Sequence, residues 1–250
     1  MDIVAELHCH TNISGHAFNS LTEMAQAATK KGLYAMAVTN HSSIKDTLSH
    51  LHFYCYKYLP RRIEGIYLLS GTEMDIVDFE GNVALGEQVL NGLDFRIVSK
   101  HNPRDTSFAS RYGTPEENTQ MYLGVVKNPL VDCLGHLGNV TVPFDHEAVI
   151  PAAAAAGTVV EVNTSYLKRS KENVECYRDI VRLCKKHGAR IAVTTDSHSI
   201  YTVGDFSVGT KLLEAEGFPE ELVINSSTER LRAYFLERKG RDIFEDEMCL

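Results

Sequence analysis

His8-Cys9-His10, His41, Glu73, His101, His136 and Asp196-Ser197-His198 are the residues of this chain best suited to chemistry, because each group directly follows a short apolar run. Imidazole nitrogen and carboxylate oxygen are the donor atoms of a divalent metal site. A lone H-x-H carries little weight in a chain of 250 residues with 11 histidines. Position carries more. The few residues after the seven apolar runs make up about a tenth of the chain, so roughly one histidine would fall there if placement were indifferent. Six do, with two carboxylates beside them.

The runs are Ile3 to Leu7, Leu33 to Val38, Ile66 to Ser70, Phe95 to Val98, Val131 to Leu134, Thr158 to Val162 and Arg190 to Val193. They lack strict polar alternation, as expected of parallel strands buried on both faces. Helical patterns with start and stop signals lie between most of them. Ser20 with Glu23 and Thr114 with Glu117 read as capping boxes, and Pro115 suits a first helical position. Residues 172 to 187 and about 228 to 239 read as helices that end at Gly188 and Gly240. Asp78-Phe79-Glu80-Gly81 reads as a hairpin turn, and Asp75, Asp78 and Glu80 are assigned to that hairpin.

Alternating strands and helices imply right-handed crossovers, and seven units favour a closed ring over an open sheet. The expected fold is α/β, a single distorted seven-stranded TIM-like β/α barrel, with one domain spanning residues 1–250. In such a barrel the C-terminal ends of the strands converge on one face, where loops build the active site. The separated histidines and acids would meet there.

With His16 in the first loop there are nine candidate ligands, more than one ion takes, so two or three are expected. Nitrogen and oxygen donors without thiolate suit zinc, manganese or iron. Cys9 should leave the face shared by His8 and His10, because strand neighbours point to opposite sides. His50, His52, His146 and His187 have no strand-end placement and are read as ordinary histidines. Ser197 lacks the G-x-S-x-G setting of a nucleophile.

The formal net charge is -8, with Lys and Arg scattered, which argues against long nucleic acid as a partner. The longest apolar stretch, Ala148 to Val160, is broken by Pro151 and Gly157 and is too short to span a membrane. No signal peptide is read at Met1. Six widely spaced cysteines without a C-x-x-C pair are expected as reduced thiols in a cytoplasmic protein.

The motifs His8-Cys9-His10-Thr11 with His16, Thr39-Asn40-His41, Gly71-Thr72-Glu73, Lys100-His101-Asn102-Pro103, Gly135-His136 and Thr195-Asp196-Ser197-His198 recur in a known set of enzymes. On these residues the chain resembles the polymerase and histidinol phosphatase (PHP) superfamily of metallophosphoesterases, and within it the YcdX-like phosphatase branch. The likeness runs from His8 to about Gly240. It implies a trinuclear centre, usually zinc, held by His8, His10, His16, His41, Glu73, His101, His136, Asp196 and His198. It also implies hydrolysis of phosphate esters, and it suggests a trimer. Where this family has Asp before the second-motif histidine, the chain has Asn40, expected to orient the ligating histidine without adding charge. Leu137 follows His136 where the branch often has Pro.

The function expected is metal-dependent hydrolysis of the phosphate monoester of a small metabolite by a metal-bridging hydroxide. Asp196 or His198 is the candidate to relay a proton to the leaving group. The sixth strand end carries no ligand, but its loop holds Lys168-Arg169-Ser170-Lys171, so Lys168 and Arg169 are candidates to grip an anionic substrate, as is Arg104 beyond His101. Two alternatives stay open: phosphodiester or nucleotide-end cleavage on the same metals, and a non-catalytic metal-binding assembly module.

Overall fold

The computed structural model describes residues 1–42, 51–101 and 112–244. Its strands are β1 (Ala5–Cys9), β2 (Ala35–Val38), β3 (His41–Ser42), β4 (Arg62–Ile63), β5 (Ile66–Asp75), β6 (Phe95–Ser99), β7 (Cys133–Leu134), β8 (Val159–Asn163) and β9 (Ile191–Thr194). Seven of them pair side by side in the order β1-β2-β5-β6-β7-β8-β9, every pair parallel, while β3 and β4 attach to β5. All seven apolar runs are strands, and the arrangement is the expected distorted TIM-like barrel.

The helices are α1 (Leu21–Lys30), α2 (Leu51–Tyr54), α3 (Glu87–Leu90), α4 (Pro115–Val125), α5 (His146–Ala156), α6 (Thr164–Leu167), α7 (Lys171–His187), α8 (Ser207–Ala215) and α9 (Thr228–Lys239). Both capping boxes form, at Ser20 and Thr114, and α7 and α9 end on left-handed Gly188 and Gly240. The hairpin after β5 also forms. Ile76 pairs antiparallel with Val83, and Asp78 Oδ1 accepts the backbone N–H groups of Glu80 and Asn82, each at 3.0 Å.

Alternate strand residues divide between two apolar layers. Ala5, Leu7, Ala37, Leu69, Ile97 and Ala192 fill the barrel interior, where α9 adds Leu231 and Phe235. Met36, Val38, Leu68, Val98, Val160 and Val193 face outward onto the helices. The helical plug meets the residues at the strand starts, so the opposite end of the barrel is left for loops.

The ring is nearly closed between β1 and β9. Near the top, the His10 N–H donates to the Ser197 carbonyl at 2.8 Å and the Ser197 N–H to that of His8 at 3.3 Å. Lower down, the fully buried Asn225 side chain fills the seam. Its Nδ2 donates to the carbonyls of Ala5 (2.9 Å) and Val193 (2.7 Å), and its Oδ1 accepts from the Val193 N–H (3.1 Å). Among the described residues no helix is long and apolar enough to cross a membrane.

Candidate metal centre

A β-bulge in β1 decides where the first two histidines point. The register against β2 shifts between Glu6 and Cys9. Ala5 and Leu7 therefore face the interior below the shift, and His8 and His10 face it above. Cys9 is turned outward into the helix-facing layer, where its thiol donates to the Ala37 carbonyl. The extra residue re-aims the chain at a functional end, a common use of bulges.

Glu73, near the end of β5 and 1% exposed, is the hub of the site. Its Oε2 lies 3.2 Å from His8 Nε2, 3.3 Å from His10 Nε2 and 3.0 Å from His41 Nδ1. Its Oε1 lies 3.1 Å from His101 Nε2 and 3.0 Å from His136 Nε2. Asp196 Oδ1 closes the other side, 3.2 Å from His10 Nε2 and 3.5 Å from His8 Nε2. His198 and His16 complete the cluster, their Nε2 atoms 2.9 Å apart. All nine residues singled out in the sequence thus lie in one cluster. Three overlapping groups, His8/His10/Glu73/Asp196, His41/Glu73/His101 and His10/His41/His198, each have their donor atoms within 4.8 Å of one another. His16 and His136 border these groups.

Acceptors behind the rings set the tautomers. Nδ1 faces Glu161 Oε1 in His8 (2.5 Å), Asp75 Oδ1 in His101 (2.5 Å), the Ser14 carbonyl in His16 (2.9 Å) and the Asp196 carbonyl in His198 (2.9 Å). A carboxylate or carbonyl can only accept, so each Nδ1 carries hydrogen and Nε2 is the nitrogen each ring turns inward to offer an ion once it is unprotonated. His10 Nδ1 lies 3.1 Å from Ser14 Oγ, whose hydrogen goes to Asn40 Oδ1 (2.9 Å). Nε2 of His8, Nε2 of His10 and Oε2 of Glu73 are buried without a hydrogen-bond partner. Buried polar atoms of this kind need an explanation, and convergent lone pairs beside two carboxylates fit divalent cations.

The electrostatics agree. Burial opposes charge on His8, but Glu161, Glu73 and Asp196 outweigh it and hold the ring well above the usual imidazole range. Burial would likewise raise Glu73 and Asp196, yet the surrounding histidines hold both well below the usual carboxylate range. His41 and His198, with burial dominant, fall to about 3 and about 4. The pocket calls for positive charge.

Two candidate ligands have unusual backbone. His136 has φ 29° and Asp196 φ 52°, a region that non-glycine residues seldom enter. Along β7, Cys133 faces inward and Leu134 outward. Simple alternation would turn His136 away, and its left-handed conformation brings it back to Glu73.

Asn40 points toward the first loop. Its Oδ1 accepts from the Thr11 N–H (2.9 Å), Thr11 Oγ1 (3.1 Å) and Ser14 Oγ (2.9 Å), so it reaches His10 through Ser14. Arg169 lies over the Tyr166 ring, 3.6 Å from its centroid, and Tyr166 stacks on His136 at 4.4 Å. Lys168 pairs with Asp205 at 2.7 Å on the rim of a cleft of about 260 Å³ that also reaches Asp196, His198, Thr164 and Phe18. Arg104 lies outside the described residues.

Two carboxylates went unrecognised in the sequence. Asp75 belongs to the hairpin through its backbone, as assigned, its carbonyl accepting from the Ala84 N–H at 3.0 Å, but its side chain binds His101. Glu161, inside the sixth apolar run, binds His8. A charge within a doubly buried strand was its available signal, since such residues are rarely buried unpaired.

The profile of the PHP domain family matches residues 6–172. A probable phosphatase of Clostridium novyi is 39% identical over 243 residues, covering 96% of this chain and 97% of that protein. A probable phosphatase of Caldicellulosiruptor bescii is 39% identical over 245 residues, covering 97% and 99%. Among solved structures, a histidinol phosphate phosphatase of Lactococcus lactis complexed with zinc, L-histidinol and phosphate superposes with a TM-score of 0.66. It is 19% identical and covers 88% of this chain and 95% of that one, a likeness of fold.

Proposed function

The chain belongs to the PHP domain family and is a hydrolase of the phosphatase kind, and we propose that it removes phosphate from a small phosphorylated metabolite at a centre of three divalent ions, zinc foremost. His8, His10, His16, His41, Glu73, His101, His136, Asp196 and His198 would hold them. What carries the reading is Glu73, a buried carboxylate whose two oxygens each lie within about 3.3 Å of histidine nitrogens from several strands.

Bound divalent ions would supply an activated water at neutral pH and positive charge for the transferring phosphate. Glu73 would hold ions through both of its carboxylate oxygens. Asp196 and His198 both line the cleft, and one or the other would relay a proton from water to the leaving oxygen. Arg169, braced on Tyr166, presents a planar cation to phosphate oxygens arriving beside His136. A cleft of about 260 Å³ beside the cluster supports a small alcohol as the leaving group. Trimeric assembly and a cytoplasmic setting, expected from the resemblance and the thiols, belong to the same proposal.

The test is metal-depleted protein reconstituted separately with zinc and manganese, then assayed on phosphorylated metabolites, on p-nitrophenyl phosphate and on its bis ester. Faster turnover of monoesters is expected. Preference for the bis ester would move the function to phosphodiester cleavage. Tightly held metal without turnover on any ester would leave a metal-binding module.

A further inference from the structure

Glu161 lies in the middle of β8 and is fully buried inside the barrel. Its carboxylate receives four hydrogen bonds. Oε1 accepts from His8 Nδ1 at 2.5 Å and from Thr194 Oγ1 at 2.6 Å. Oε2 accepts from the His136 backbone N–H at 2.5 Å and from Asn163 Nδ2 at 3.2 Å. The same Asn163 Nδ2 stands 3.2 Å from Asp196 Oδ2. One side chain thus reaches three proposed metal ligands on three other strand ends: the His8 ring, the His136 backbone and, through Asn163, the Asp196 carboxylate.

These contacts differ in kind from those of Glu73. Both oxygens of Glu161 are taken up by donors on the side of the rings away from the cluster, which leaves no lone pair for an ion. Four donors converge on its two oxygens, an arrangement that favours the carboxylate over the neutral acid. An anion behind an imidazole fixes the tautomer and orientation of the ring and strengthens the opposite nitrogen as a ligand. The bond to the His136 N–H also acts where the backbone is unusual, at φ 29°.

We propose that Glu161 is the positioning residue of the centre: without binding metal itself, it aims His8, holds the left-handed turn at His136 and steadies Asp196. The inference rests on the metal-centre reading above. It assigns a division of labour in which Glu73 gathers the ions and Glu161 sets the ligands around the His8/His10/Glu73/Asp196 group. Asp75 plays the simpler part for His101 alone.

The test uses Glu161→Gln in the full chain, with zinc stoichiometry measured after dialysis and affinity measured against a competing chelator. The amide keeps the shape but cannot accept from both the His8 and the His136 sides. The expected result is a loss of one tightly bound zinc equivalent, with affinity there weakened tenfold to a hundredfold and the far-ultraviolet circular dichroism unchanged. Because Glu161 touches no substrate, raising free zinc should restore kcat while KM stays at the wild-type value. Wild-type stoichiometry and affinity in Glu161→Gln would overturn the inference, whereas a wild-type protein that binds no metal would overturn the metal-centre reading instead. If Glu161→Gln does not fold, Thr194→Val carries the test: it removes one bond from Oε1 and leaves the anion in place. A several-fold weakening of the same site is then expected, and unchanged affinity overturns the inference.

Discussion

The Nε2 atoms of His16 and His198 face one another at 2.9 Å, although 182 residues separate them. Each ring commits its Nδ1 hydrogen to a backbone carbonyl, Ser14 for one and Asp196 for the other. Two lone pairs at this distance repel unless a cation shares them. A zinc ion at a hundredfold excess over its Kd should therefore stabilise the protein by about 2.7 kcal/mol, raising Tm by roughly 5–10 °C. Differential scanning calorimetry with and without a chelator reads this, and His198→Ala should lose much of the shift.

Metal binding should release protons. The carboxylates around His8 and His101 hold these rings above the ordinary imidazole value, despite burial. At neutral pH both rings carry a proton that must leave before the nitrogen can bind a cation. Zinc affinity should rise as pH rises and fall as pH falls. Calorimetric titration in two buffers of different ionisation enthalpy measures the protons released, and a count of zero would contradict the assignment.

Asn40 influences the centre through Ser14, which contacts both His10 Nδ1 and the His41 backbone N–H. Asn40→Asp places a negative charge two hydrogen bonds behind His10, by way of Ser14. Metal affinity should change by several-fold, with the low end of the range for partners behind ligands. If neither zinc affinity nor turnover moves, Asn40 serves only to hold the first loop.

Arg169 should matter to substrate more than to metal. Arg169→Glu reverses charge beside Tyr166 and His136 and should raise KM for a phosphomonoester, with zinc stoichiometry unchanged. An unaltered KM would make the residue part of a solvated surface.

Asn225 tests the closure of the barrel. Asn225→Ala strips three bonds from buried backbone groups of β1 and β9. The expected cost is about 2–5 kcal/mol, from groups left buried without partners. Urea denaturation gives the value directly.

Much of this was legible in one dimension. Strands buried on both faces must be apolar, so the seven runs announced themselves, and capping boxes and terminal glycines marked α1, α4, α7 and α9. Eight of the nine candidate ligands were visible because a parallel barrel delivers strand ends to one place, where packing gives no reason for histidine; His16, in the first loop, joined them on the family resemblance.

Tertiary structure decided what pattern could not express. The β1 bulge, which keeps both Leu7 and His8 facing inward, is a matter of pairing with β2 and leaves no mark in hydrophobic alternation. The left-handed turn that swings His136 inward depends on an acceptor 25 residues away, in β8. Asp75 and Glu161 gain their partners across strands. Local sequence sets periodicity and caps, but the partner of a buried charge is chosen by which strands become neighbours, and only the closed sheet makes that choice.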